Sequence, residues 1–327
     1  MNDPASSSQP SRTRVLGSTG LCVSTIGFGA SPLGDVFGVV TPEQGRAAVH
    51  HAIDCGINLF DVSPYYGLTL AEQRLGAALA GRRHEVVLAT KCGRYGSSDF
   101  DFSAATVTRE FENCLRRLQT DYVDLLQIHD VEFGDIGQII HETLPALRTL
   151  QRQGKARFIG ITGYWPGLLA RIAVEVPVDT VLNYCHANLL MDDMDRELTP
   201  LAVQQGFGLM NASPLHMGLL SGGTVPEWHP APPQVKQAAA QVVALCAEHG
   251  VSSATLALHA ALQHPVAAST FIGFQSVAQV DAALQAFDFA PPPGLLEAVR
   301  VIVAPVFNTV WPSGLPANQP EAATHAR

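Results

Sequence analysis

Residues 85–129 read EVVLATKCGRYGSSDFDFSAATVTREFENCLRRLQTDYVDLLQIH. Glu85–Thr90 is a short apolar run, and its composition predicts a strand buried on both faces. Ser103–Gln119 sets Val107, Phe111, Cys114, Leu115 and Leu118 at helical spacing, the signature of an amphipathic helix. Val123–Ile128 is a second apolar strand. A strand–helix–strand unit is complete at this point, with Lys91 and His129 standing just past its two strands.

The unit recurs in both directions. Upstream, Thr13–Leu16 and Leu21–Ser24 flank Gly17-Ser-Thr-Gly20, which reads as a hairpin. Ser24–Gly29 and Ile57–Phe60 read as strands. Between them a helix starts at Thr41-Pro42-Glu43, with Thr as N-cap and Pro in the first turn, and stops before Gly56. Residues 70–80 form the next helix. Downstream, Ile136–Arg152 reads as a helix ended by Gly154. Strands follow at Ala156–Ile161, Thr180–Leu182, Phe207–Asn211 and Ala268–Ile272. Helices are predicted near 166–175, 192–205, 233–249, 252–263 and 277–287. Eight such units in about 300 residues predict an α/β fold of the closed (β/α)8 type, the TIM barrel. No G-x-G-x-x-G follows the first strand, which argues against a doubly wound dinucleotide fold. The expected organisation is one domain over 13–312, with mobile tails at 1–12 and 313–327.

Composition narrows the function. The chain has 327 residues, 47% hydrophobic and 15% charged, as a globular protein has. A net charge of −9 and the lack of a basic cluster exclude nucleic acid as an expected partner. Six dispersed cysteines without a CxxC pair point to a reducing compartment. Residues 1–11 have no apolar core, and no apolar run is long enough to span a bilayer. The expectation is a cytoplasmic monomer or small homo-oligomer acting on a small molecule, with no membrane partner.

Barrel enzymes keep their chemistry at the C-terminal ends of the strands. There this chain carries Asp61-Val-Ser-Pro-Tyr-Tyr66 after the second strand, Lys91 after the third and His129 after the fourth. Each residue alone has an ordinary explanation, but four converging on one mouth do not. The set resembles the Asp–Tyr–Lys–His tetrad of the aldo-keto reductases. Segments Gly27–Gly38, Thr90–Tyr95, Phe100–Ala104, His129–Gly134, Phe158–Gly163, Tyr184–His186 and Pro226–Pro230 are similar to those of L-galactose dehydrogenases. They are also similar to those of L-fucose-type aldose 1-dehydrogenases.

The resemblance implies that the hairpin closes the barrel bottom. It also implies hydride transfer between an aldose and a nicotinamide dinucleotide, with Tyr66 as proton acceptor. Lys91 would lower the Tyr66 phenol from its free value of about 10, Asp61 would neutralise Lys91, and His129 would orient the reacting oxygen. No metal is implied. Gly29 and Ala30 would line the cofactor, Thr162, Gly163 and Asn183 its carboxamide, and Ser213, Pro214, Leu215 and Gly218 its pyrophosphate. Gly273, Phe274, Gln275, Ser276 and Gln279 would meet its far end. The ring that stacks on the nicotinamide falls at Ala212, leaving Tyr184 or the Phe28 region as substitutes. No Lys or Arg lies between 237 and 299 to pair a 2′-phosphate, which favours NAD over NADP unless Lys236 supplies the charge. Tyr65, His129, Asp130 and Trp228 would contact the sugar. Alternatives are a pyridoxal-type dehydrogenase, a general aldehyde reductase, or a regulatory nicotinamide-binding subunit. The complete proton relay argues against the last.

Overall fold

A computed structural model describes residues 11–320. Two short strands, β1 (Thr13–Val15) and β2 (Cys22–Ser24), pair antiparallel. Eight parallel strands follow: β3 (Ile26–Gly29), β4 (Leu59–Asp61), β5 (Val87–Cys92), β6 (Val123–Ile128), β7 (Ala156–Gly163), β8 (Thr180–Tyr184), β9 (Gly208–Ala212) and β10 (Ser269–Gly273). They pair in chain order, and β10 returns to β3 to close the barrel. The helices wrapped outside are α1 (Pro42–Asp54), α2 (Leu70–Ala78), α3 (Ala104–Leu118), α4 (Ile136–Gln138), α5 (Leu144–Arg152) and α6 (Pro166–Glu175). After them come α7 (Met194–Glu197), α8 (Thr199–Gln205), α9 (Pro233–Glu248), α10 (Ser253–Leu262), α11 (Val277–Leu284) and α12 (Leu295–Val303).

The strand period of two divides the interior into layers. Leu59, Ala89, Leu125, Leu182, Met210 and Phe271 point inward and pack with Leu16, Leu21 and Val23 of the hairpin. The hairpin therefore closes the barrel bottom as a hydrophobic plug. Two residues further along each strand the inward positions are Asp61, Lys91, Gln127, Tyr184, Ala212 and Gly273. The same alternation that builds the core hands the next layer to polar and small residues.

Local signals account for most helix boundaries. Thr41 accepts a hydrogen bond from the Gln44 N–H while the Gln44 side chain accepts from the Thr41 N–H, completing a capping box ahead of Pro42. Ser103 caps α3 through the Thr106 N–H. The sequence predicts one helix over 136–152, but Ile139–Thr143 widens to a π-helix between α4 and α5. Pro145 explains the break, since it has no N–H to donate and its ring crowds the preceding turn. Helix α12 was not anticipated; it buries Leu295, Val299 and Val303 at i, i+4 and i+8.

The C-terminal stretch also departs from expectation. Residues 313–320, read from sequence as part of a mobile tail, are tied to the loop after β6. Leu315 N–H donates to Glu132 O at 2.8 Å, and the Asn318 amide donates to Glu132 O and Gly134 O at 2.9 and 2.8 Å. A β-carbon on Gly314 would fall 2.3 Å from Glu132 O, so only glycine permits that approach. The expected N-terminal tail, apart from Ser11 and Arg12, and residues 321–327 lie outside the described residues.

Leu16 is fully buried in the plug beside Gly208. Leu16→Ala is expected to destabilise the protein by about 2–5 kcal/mol, as deletion of a packed leucine does. Urea unfolding checks this. A loss below about 0.5 kcal/mol would mean that the hairpin contributes little to the barrel core.

Candidate active site

Strand register brings the tetrad together. Asp61 lies beside Ala89 on β5, and Lys91 lies beside Gln127 on β6. Lys91 Nζ donates to Asp61 Oδ2 at 2.5 Å, to Val62 O at 3.1 Å and to Tyr66 Oη at 3.1 Å. Gln127 Nε2 holds the other Asp61 oxygen at 3.1 Å. All three ammonium protons thus have acceptors, which is what allows a lysine only 1% exposed to stay charged. Tyr66 is placed by a close backbone crossing: a β-carbon on Gly67 would fall 2.2 Å from Gly34 O. The Tyr66 and His129 rings meet edge to face at 5.6 Å.

Electrostatics modifies the expectation for Tyr66. Burial pushes its phenol up to about 12, against the opposing pull of Lys91. Lys91 was expected to bring the phenol below its free value; burial is the larger effect. Burial opposes the charge on Lys91 too, but Asp61 and Tyr66 outweigh it and hold Lys91 at about 12. His129 falls well below the usual imidazole range through burial, then through Lys91 and Arg94, so it is neutral. Its Nδ1 is held by a residue the sequence reading missed. Ser63 Oγ accepts the Tyr65 N–H at 3.2 Å and lies 2.9 Å from His129 Nδ1. When the hydroxyl donates its proton to Nδ1, the ring proton is on Nε2.

A cleft of about 620 Å³ opens from the tetrad across β9, β10 and β3. That volume falls among those of cofactor sites. Of the residues expected at the cofactor, Gly29, Ser213, Pro214, Leu215, Gly218, Gly273, Gln275 and Gln279 line it, as do Asp61, Tyr66 and Ala212. Several glycines form its wall, and a β-carbon on Gly273 would meet Pro32 Cγ at 2.7 Å. Glycines at these points suit the close approach of a dinucleotide. Pro32, Phe37, Met217 and Thr224 also line it; the sequence marked the segments around Pro32, Phe37 and Met217 without singling out these side chains.

The remaining residues expected at the cofactor do not line this cleft. Ala30 is buried and donates its N–H to Asp61 O. Phe274 points away from the cleft and packs 5.2 Å from Phe28, which itself stacks on Phe60. The Phe28 region therefore offers no ring to the cleft. Ser276 caps α11 through the Gln279 N–H. Asn183 alternates with Leu182, faces the helices and donates to Gly163 O and Tyr164 O at 2.9 Å each. Tyr184, beside Ala212, takes the inward position at the end of β8. Thr162 points inward and its hydroxyl accepts the Asp130 N–H at 3.2 Å. Gly163 faces outward, where Glu132 Oε2 would lie 2.6 Å from a β-carbon. Trp228 does not reach the tetrad; it is 53% exposed and meets Phe37 at 5.9 Å, joining the loops after β9 and β3. Tyr65 and Asp130 do sit beside His129, and both contact Arg94, another residue missed from the sequence. The one group of possible metal ligands among the described residues, His51, Cys55 and Asp281, lies on the outer helices; a His51–Asp281 contact of 2.6 Å accounts for it.

Glu132 is fully buried behind this mouth. Its Oε1 faces Tyr164 N–H, Tyr184 Oη and Ser313 Oγ at 3.1–3.4 Å, while Oε2 has no partner among the described residues. Burial, then the nearby Asp130, pushes its carboxyl up to about 8. Between an unfolded value of about 4.5 and about 8, the folded state then holds one proton more than the unfolded state. Stability from this group is complete below pH 4.5 and is lost as pH rises through 8. Glu132→Gln should remove the decline, whose slope is at most about 1.4 kcal/mol per pH unit. Urea midpoints of both proteins from pH 5 to 9 check it; parallel curves would show that Glu132 ionises normally.

The comparisons agree with this geometry. The aldo/keto reductase family model matches residues 25–294. L-galactose dehydrogenase from Arabidopsis thaliana is 45% identical over 93% of this chain and 98% of its own length. D-arabinose 1-dehydrogenase from Saccharomyces cerevisiae is 31% identical over 82% and 87%. An aldo-keto reductase from Bacillus halodurans, solved in its holo form, superposes with a TM-score of 0.74 at 27% identity, covering 94% of this chain and 99% of that one. The barrel, its plug and the sequence match across most of the chain lead to one conclusion: this protein belongs to the aldo/keto reductase family and is an oxidoreductase homologous to aldose 1-dehydrogenases.

Proposed function

We propose that this enzyme oxidises an L-galactose- or L-fucose-like aldose at its anomeric carbon to the lactone, with NAD as hydride acceptor. The observation that carries the reading is the Lys91–Tyr66 contact of 3.1 Å where Tyr66 and Asp61 line the cleft. The 45% identity to a plant L-galactose dehydrogenase supports the choice of substrate. A nicotinamide dinucleotide bound in the cleft supplies the hydride acceptor. Tyr66 Oη takes the proton of the anomeric hydroxyl as the C1–H bond gives up its hydride and the carbonyl forms. Lys91 stabilises the phenolate form of Tyr66 that accepts this proton, and Asp61, held by Gln127, keeps Lys91 in place. His129 Nε2–H donates to the reacting oxygen. Tyr184, beside Ala212 at the inward end of β8, would be the ring that packs against the nicotinamide.

The substrate is checked by NMR of the product and by the rate of NADH formation. L-galactose and L-fucose should each yield the lactone. Tyr66→Phe should lower turnover by at least about a hundredfold while NAD still binds. Because the buried phenol must lose its proton for oxidation, the wild-type rate should rise with pH across the neutral and alkaline range. Oxidation at a primary alcohol, or near wild-type turnover of the variant, would overturn the reading.

Cofactor choice follows from the cleft wall. Among the described residues no Lys or Arg lines it, Lys236 included. A 2′-phosphate would therefore lack a charged partner there. NAD should give the higher kcat/KM. Gln275→Lys combined with Gln279→Arg should move the NADP/NAD ratio upward by about tenfold or more, the scale of one new charge-assisted hydrogen bond. Phe274 is unsuited to such a change, since a charge there would be buried against Phe28. A wild-type preference for NADP would overturn the assignment.

A further inference from the structure

Arg94 sits at the barrel mouth three residues beyond Lys91. Its guanidinium carbon lies 3.8 Å from the centre of the Tyr65 ring, 5.1 Å from Phe100 and 5.4 Å from Phe133. Phe100 and Phe133 stack nearly parallel at 4.5 Å. Nη1 donates to Asp130 Oδ2, and Nε makes a long contact of 3.4 Å with Gly96 O. A flat cation held by three rings and a carboxylate has little freedom to turn. Asp130 is held as firmly. Its φ of +52° is uncommon outside glycine, and its N–H is fixed by Thr162 Oγ1. The pair is largely buried, with side-chain exposures of 16% for Arg94 and 4% for Asp130.

Two polar atoms of this rigid unit are unused. Among the described residues, Arg94 Nη2 and Asp130 Oδ1 make no hydrogen bond, and neither is sealed from solvent. The unit adjoins the reacting position, because Asp130 Oδ2 lies 3.6 Å from His129 Nε2. It therefore offers a donor and an acceptor side by side, with its two formal charges cancelling. Two neighbouring hydroxyls present the matching acceptor and donor. An unadorned aldehyde presents neither, and a carboxylate would face Asp130.

We propose that Arg94 and Asp130 form a donor–acceptor fork that reads a pair of adjacent, uncharged hydroxyls next to the carbon undergoing oxidation, and so set the enzyme's preference for sugars. This rests on the sugar-oxidising reading above and assigns Arg94 a specificity role. Sites built to hydrogen-bond a hydroxyl discriminate strongly against substrates lacking it, because their own polar groups are then left unpaired.

The test compares wild type with Arg94→Lys and Asp130→Asn on three sugars: L-galactose, L-fucose and 2-deoxy-L-galactose. L-fucose lacks a hydroxyl remote from the reacting carbon and serves as the control. Wild type should use L-fucose within about threefold of L-galactose, and the 2-deoxy sugar about tenfold to a hundredfold less well in kcat/KM. Each variant should lose a similar factor on L-galactose and L-fucose, mainly through KM, yet change little on the 2-deoxy sugar. NAD affinity should stay near wild type, and both variants should remain folded by circular dichroism. Equal losses on all three sugars, or no loss on any, would overturn the fork while leaving sugar oxidation standing. A wild-type enzyme inert toward every sugar would instead overturn the proposed function, and the fork with it.

Discussion

The buried ion pair between Lys91 and Asp61 is the constraint around which the barrel mouth is organised. An ammonium 2% exposed and a carboxylate 7% exposed can remain charged only if every proton and lone pair near them is used. Val62 O, Tyr66 Oη and Gln127 Nε2 meet that requirement. Each comes from the β4–β5–β6 segment, whose register sets Asp61 beside Ala89 and Lys91 beside Gln127. A one-residue slip in either pairing would turn the charges toward the helices and leave them unpaired. The chemistry and the register of three strands are therefore one constraint.

Further out, the mouth balances charge rather than accumulating it. Arg94 is matched by Asp130, and His129, flanked by Lys91 and Arg94, is kept neutral. Glu132 retains its proton to about pH 8 because burial and Asp130 both oppose its ionisation. A neutral imidazole and a neutral carboxylic acid act as hydrogen-bonding groups without adding to the field at Tyr66. The C-terminal stretch contributes to this arrangement, since Ser313 faces Glu132 and Leu315 and Asn318 pair with its backbone.

The cofactor side follows another logic. Where the tetrad side is dense with side chains, the cleft over β3, β9 and β10 carries glycines at Gly29, Gly218, Gly223 and Gly273. Gly29 and Gly273 sit opposite one another in paired strands, and neither could carry a side chain without crowding its neighbour. Such a surface reads shape and backbone polarity and leaves substrate choice to the loops on the far side of His129.

The sequence by itself determined the eight apolar strands, the helix caps at Thr41 and Ser103, and the tetrad residues at the strand ends. These are local matters: a strand buried on both faces must be apolar, and a strand end in a barrel must face the mouth. The neighbouring positions were decided by tertiary structure. Asn183 and Tyr184 differ by one residue and point to opposite faces of β8, a choice made by register against β7 and β9. Phe274 and Gln275 divide in the same way, one into the helix layer and the other into the cleft. Arg94, Ser63 and Glu132 stand in loops that the sequence marked as family-like without giving these side chains a role, and they acquire one only through residues distant in the chain: Asp130, His129 and Ser313. Residues 313–320 look like a tail because they are polar and proline-containing; what orders them is the buried backbone of Glu132 and Gly134, whose carbonyls need donors that no local segment supplies.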